Sequence, residues 1–158
     1  MIEKLSLDQA VLDAANEVFQ TMIFMDLQPA QEDAFDTEAD SLLGSITFKG
    51  DLEGCFVLCA NNDCAYTVAA NMLGMDSPEG LTEEEVCDAV GEVVNMVMGS
   101  IKSRLPEQDN MIEVSIPSVV RGKRLQNNLG EGAQKITKYV SIQGEFTAVL
   151  SLLYRAAN

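Results

Sequence analysis

The twelve residues DAVGEVVNMVMG, Asp88 to Gly99, set two carboxylates, one carboxamide and two glycines into an otherwise apolar stretch. On a helix advancing about 100° per residue, Glu92, Asn95 and Gly99 fall within roughly 40° of Asp88, with Glu84 close by. Val86, Val90, Val93, Val97 and Ile101 cluster on the opposite side. The spacing predicts a helix with an apolar core face and an outward polar stripe. A carboxamide carries both a donor and an acceptor, so Asn95 can orient a water without ionising. The chain has no histidine, and Cys55, Cys59, Cys64 and Cys87 form no C-x-x-C pair. That combination argues against a structural zinc site, and no metal is expected. The cysteines read as core or near-core thiols, Cys55 and Cys59 lying in an apolar run.

A glycine inside a helix costs about 0.5–1 kcal/mol relative to alanine. The wheel puts Gly99 on the stripe and Gly91 at its edge, so neither is expected to face the core. A solvated helix face accounts for the polar residues by themselves. The glycines tilt the reading towards a docking surface in which Asp88, Gly91 and Gly99 surround Glu92 and Asn95 and leave room for a partner.

The elements that must position this stripe follow from local signals. Ser6-Leu7-Asp8-Gln9 reads as a capping box opening a first helix, with Val11, Ala15, Val18 and Met22 at helical spacing and an end near Asp26, before Pro29. Residues 30–41 read as an acidic loop. LLGSITFKGDLEGCFVLCA reads as two strands joined by a type II′ turn at Gly50-Asp51. Asn61 or Asn62 caps a second helix that Gly74 stops. Thr82-Glu83-Glu84-Glu85 is a capping box for the long helix, which Pro106 ends. MIEVSIPSVVRG reads as a strand in which Pro117 favours an edge or a bulge. After a polar loop, ITKYVSIQGEFTAVLSLLY forms a second hairpin turning at Gly144-Glu145.

The chain repeats itself. ITFKGDLEGCFVL (46–58) aligns with VSIQGEFTAVLSL (140–152), and DAANEVFQTMIF (13–24) aligns with DAVGEVVNMVMG (88–99). The expectation is an α+β fold in which a long helix plus an antiparallel hairpin occurs twice about a pseudo-twofold. The helices pack on an antiparallel sheet, and residues 1–158 form one domain with repeat units of roughly 6–60 and 82–154. In the first copy Asp13 and Glu17 match Asp88 and Glu92, but Gln20 replaces Asn95 and Phe24 replaces Gly99. The extra methylene displaces the amide and Phe24 crowds the surface, so one working site is expected, on the second helix.

Composition narrows the function class. A formal net charge of -15 repels nucleic acid and anionic lipid. Apolar runs such as AVLSLLY are far short of the roughly 18 residues needed to span a bilayer. MIEKLSLDQA has no basic flank followed by an apolar block, so no signal peptide is expected and the compartment reads as cytoplasmic.

Asp88-x-x-x-Glu92-x-x-Asn95 resembles the signature of the CheC/CheX family of chemotaxis phosphatases, and AANMLGM and IPSVVRG on either side are similar to the corresponding segments of CheX proteins. With the hairpins, the resemblance covers nearly the whole chain and is nearest to CheX. It implies removal of the phosphoryl group from the aspartyl-phosphate of a CheY-like response regulator. Asn95 would position the attacking water, Glu92 would pair with the receiver's lysine, and Asp88 would tune the docking face or support Glu92. Phosphoryl transfer needs an in-line water and charge stabilisation more than a strong base, which suits these residue types. The Mg2+ would sit in the receiver, and this chain would carry no cofactor of its own. The family also implies a homodimer formed through the sheets. Two other classes stand beside this reading: a non-catalytic adaptor that binds the receiver, and a structural relative of the flagellar switch proteins.

Overall fold

Alternation of apolar residues builds the centre of the molecule. β2 (Ser41–Gly50) pairs with β3 (Leu52–Asn61), and β6 (Gln134–Ile142) pairs with β7 (Phe146–Ala156). β3 and β7 pair with each other. A short β1 (Leu27–Pro29) adds to β6, while β4 (Ile112–Val114) and β5 (Ser118–Gly122) both add to β2. The result is one antiparallel seven-stranded sheet of order β1-β6-β7-β3-β2-β4, with β5 beside β2. The computed structural model of the chain describes residues 4–106, 111–127, 129–130 and 132–157.

The register reveals the symmetry of the repeat. Aligning 46–58 with 140–152 maps Val57 onto Ser151, and these two residues are also direct partners across β3 and β7. A pseudo-twofold axis therefore passes between them. β3 is buried along most of its length on both faces, which is why GCFVLCA runs apolar without a break.

Three helices cover one face: α1 (Lys4–Val18), α2 (Asn62–Met72) and α3 (Glu83–Ser103). Ile46, Phe48, Phe56, Leu58, Leu150 and Leu152 point towards them from alternate strand positions and meet Val11, Ala15 and Val18 of α1 and Val93 and Val97 of α3. α1 and α3 run antiparallel, because Leu7 shares one small gap with Ile101 and Phe19 shares another with Val90. Gly44 lets α3 lie close to β2; a Cβ there would come within 2.8 Å of a Val94 methyl. No helix among the described residues is long and apolar enough to cross a membrane.

Several local expectations change. Ser6 lies inside α1, whose described part already begins at Lys4, so it is not the capping residue. The α-helical repeat of α1 stops at Val18, and a π-helical turn over Phe19–Ile23 follows. That wider turn takes Met22 off the core stripe and leaves it half-exposed. Gly50 has no positive φ, so the β2–β3 connection is not a type II′ turn. Gly50 is instead where β4 approaches, with the Met111 carbonyl too close to leave room for a Cβ. At the second hairpin both Gln143 (φ 58) and Gly144 (φ 65) are left-handed, the primed geometry that matches strand twist. Asn61 takes the cap position of α2, but its side chain bonds Ser41 and the Asp36 carbonyl rather than the helix. Gly74, at φ 71, follows the end of α2 as expected. Pro117 does interrupt an edge strand, splitting it into β4 and β5.

Candidate functional site

α3 is the element that presents the stripe. Its start is fixed by a reciprocal capping box: the Glu85 N–H donates to Thr82 Oγ1 at 3.1 Å, and the Thr82 N–H donates to Glu85 Oε1 at 3.0 Å. The Thr82 N–H and next the Thr82 hydroxyl, both donating to Oε1, hold the Glu85 carboxyl below the usual glutamate range. Three glutamates in the first turn and Lys102 in the last complement the helix dipole. The core face is as the wheel requires, with Val86, Val90, Val93, Val97 and Ile101 all buried.

On the other side Asp88, Glu92, Asn95 and Gly99 are all exposed. From Asp88 to Gly99 the stripe is about 16 Å long. Glu92 and Asn95, one turn apart, have Cβ atoms about 5–6 Å from each other. Among the described residues neither side chain makes a hydrogen bond or ion pair, so both are free to engage another molecule. Nothing lies within 4 Å of where a Cβ on Gly99 would stand. Gly99 is thus an open notch directly beyond Asn95.

Gly91 is different, and the expectation that it provides clearance is overturned. It is buried, and a Cβ there would meet Pro117 Cγ at 3.5 Å and Val119 Cγ2 at 3.8 Å. The edge strand of the protein's own sheet fills that position, so Gly91 lets β5 pack on α3. Pro117 and Val119 thereby form one flank of the stripe. The sequence signal was Pro117 itself, but its partner across the chain was not readable. Lys102 was also passed over; it lies one turn beyond Gly99 at the same helical phase, half-buried. Cys87 adjoins the stripe, and its thiol is pushed up by burial and by the charge of Asp88.

The equivalent face of α1 is occupied by its own chain. Asp13, Glu17 and Gln20 are exposed, but Glu17 is ion-paired with Arg104 at the end of α3, and Asp13 accepts a bond from Gln9 at 2.8 Å. The π-helical turn shifts the phase of Gln20 relative to Glu17. Phe24 is left-handed at φ 62 and 72% exposed, where the second copy has its notch.

Among the described residues no three Cys, Asp or Glu side chains converge as metal ligands. Cys55, Cys59 and Cys64 are buried and Cys87 half-buried, all reduced.

The family model for the chemotaxis phosphatase CheX matches residues 42–141. No curated protein sequence matches the chain. The crystal structure of chemotaxis protein CheX from Vibrio vulnificus is 29% identical with a TM-score of 0.78, covering 94% of this chain and 96% of that one. A CheC-like superfamily protein from Shewanella sp. PV-4 is 26% identical with a TM-score of 0.77, covering 98% and 100%. The CheX of the CheX–CheY–BeF3–Mg2+ complex from Borrelia burgdorferi has the same fold, at 18% identity and a TM-score of 0.72, covering 93% and 96%. The helix-and-sheet order, the repeat and a family match over most of the chain lead to one assignment: this chain belongs to the CheX family of chemotaxis phosphatases.

Proposed function

We propose that the protein hydrolyses the aspartyl-phosphate of a CheY-like receiver domain, using the α3 stripe as a single catalytic and docking face. The observation that carries this reading is the pair Glu92 and Asn95, exposed and without partners among the described residues on one helical face, with the open notch of Gly99 beside them. A side chain lacking internal bonds is available at no cost to its own fold. Glu92 pairs with the receiver's lysine and so sets the register of docking. Asn95 enters the receiver's site, and its amide holds a water in line with the phosphorus–aspartate bond. The water oxygen bonds to phosphorus as the bond to the aspartyl oxygen breaks, giving inorganic phosphate and the free carboxylate. Orientation of this kind removes the entropic part of the barrier. In this reading Mg2+ belongs to the receiver, which is supported by a CheX–CheY complex from Borrelia burgdorferi that includes beryllium fluoride and Mg2+. Asp88 adds negative charge at the N-terminal end of the face.

The test is phosphate release from a phosphorylated receiver. Wild type accelerates it, and Asn95→Ala loses about a hundredfold of that acceleration. Equal binding of both proteins with no acceleration by either would establish an adaptor instead. Recovery of flagellar switch components and no receiver would establish a structural role.

We also propose a single domain over 1–158 in the cytoplasm, where such receivers act, and a homodimer joined at the β4–β5 edge. Among the described residues that edge pairs with nothing beyond β2, and it exposes Val114, Ile116 and Val120, the profile of an edge that recruits another strand. Sedimentation should give a dimer that Ile116→Asp converts to monomer; a wild-type monomer would refute this.

A further inference from the structure

The sheet face turned away from the helices holds a second site. Strand register lays three rows across it: Lys135, Leu153 and Cys55; Thr137, Ser151 and Val57; and Tyr139, Val149, Cys59 and Leu43. Two loops fold over these rows, one bringing Phe35 and the other Leu125. The loops are tied together, since the Arg124 N–H donates to the Thr37 carbonyl at 3.0 Å and its guanidinium pairs with Glu38 at 3.2 Å. Between them lies an open trough of about 560 Å³. Sites for small ligands span roughly 300–1,000 Å³. Its floor is apolar: Leu43, Val57, Cys59, Val149 and Leu153.

Ser151 and Lys135 stand on neighbouring rows of the trough, and neither side chain has a partner among the described residues. Ser151 is 8% exposed and lines the floor, yet its hydroxyl makes no hydrogen bond. Its symmetry mate in the repeat is Val57, so the strand pairing does not require a hydroxyl there. The hydroxyl is not sealed from solvent: it opens onto the trough, where a ligand group can bond it. Among the described residues Lys135 is exposed, makes no ion pair and is the only cation lining the trough, in a chain with net charge -15. At the far end Glu32 lies near Tyr139 and repels anions. Four residues of β6 separate Lys135 from Tyr139, about 13 Å.

We infer that this trough binds a small amphipathic carboxylate, its acid group held by Lys135 and Ser151 and its apolar tail lying on the Val57–Val149–Cys59 floor. The polarity of the trough sets the direction: the acid lies at the lysine end and the tail runs towards Tyr139. An eight-carbon chain, about 10 Å extended, fits that span. The site lies on the opposite face from Asn95, so it does not depend on the phosphatase reading.

Titration of the full chain with octanoate, followed by amide NMR and calorimetry, tests this, with 1-octanol as the neutral control. Octanoate should saturate at one per chain and shift amides of β6 and β7 around Lys135 and Ser151. Lys135→Gln should weaken octanoate about tenfold and leave 1-octanol within about twofold, because only the charge-assisted bond is lost. Ser151→Ala should weaken it by less, and thermal melts should show both variants folded. Absence of saturable binding overturns the proposal. So does octanoate binding that Lys135→Gln leaves unchanged, or shifts confined to other surfaces.

Discussion

Asn95 and Glu92 are bonded to nothing among the described residues, which separates their chemistry from their stability. Asn95→Ala should therefore leave unfolding free energy within about 0.5 kcal/mol of wild type while losing about a hundredfold of the acceleration. A large loss of stability in urea titration would mean that the side chain has a structural role. The two glycines of the same helix divide in the same way. Gly99→Ala and Gly91→Ala should each stabilise α3 by about 0.5–1 kcal/mol, since Gly99 faces open space and a Cβ on Gly91 only makes ordinary contact with Pro117. Gly99→Phe, which copies Phe24 of the first helix, should block receiver dephosphorylation, whereas Gly91→Ala should not. Loss of activity in Gly91→Ala with Gly99→Phe fully active would reverse the assignment of the notch.

The helices differ at their ends more than along their lengths. α3 begins with a complete capping box, and Thr82→Ala should cost about 1 kcal/mol. The Glu85 carboxyl is held below its ordinary value, chiefly by the Thr82 backbone N–H and next by its hydroxyl. A depressed acid contributes stability above its unfolded pKa, about 4.3 for glutamate, and loses it as pH falls through the lower folded value. The gap between wild type and Thr82→Ala should thus narrow in acid, as chemical denaturation near neutral pH and at about pH 3 would reveal. α1 lacks any such symmetry with α3 at its far end. Its π-helical turn and the Glu17–Arg104 ion pair turn a matching sequence into a face that is already engaged.

At the scale of the molecule, helices cover one face of the sheet and loops cover part of the other, and the thiols on each side record that. Burial pushes Cys64 up to about 12 and Cys59 up to about 11. Cys55 rises for the same reason, partly offset by Lys135. Cys87 alone is half-buried. Iodoacetamide near neutral pH should therefore modify Cys87 first and slowly, and the other three only in denaturant, as peptide mass spectrometry would report. Rapid modification of Cys59 in the native protein would mean that the outer loops do not cover the sheet. Phe56, buried at the centre of that sheet, should cost about 3–5 kcal/mol on replacement by alanine, the largest of these effects.

What the sequence by itself determined is what neighbours along the chain control. Val86, Val90, Val93 and Val97 recur at helical spacing, so the outward placement of Asp88, Glu92, Asn95 and Gly99 follows from 3.6-residue geometry alone. Thr82 and Glu85 are three residues apart, and the hairpins of the repeat are likewise local. The tertiary structure decided whatever depends on residues far apart in the chain. Pro117 covers Gly91, Met111 approaches Gly50, Arg104 holds Glu17, and Arg124 ties its loop to Thr37 and Glu38 over the outer sheet face. No local periodicity encodes such pairs, because they arise from the register of a sheet and the packing of helices upon it. The same physics explains why two similar helices diverge: the stripe is written in each, but whether it stays open depends on what the rest of the fold brings against it.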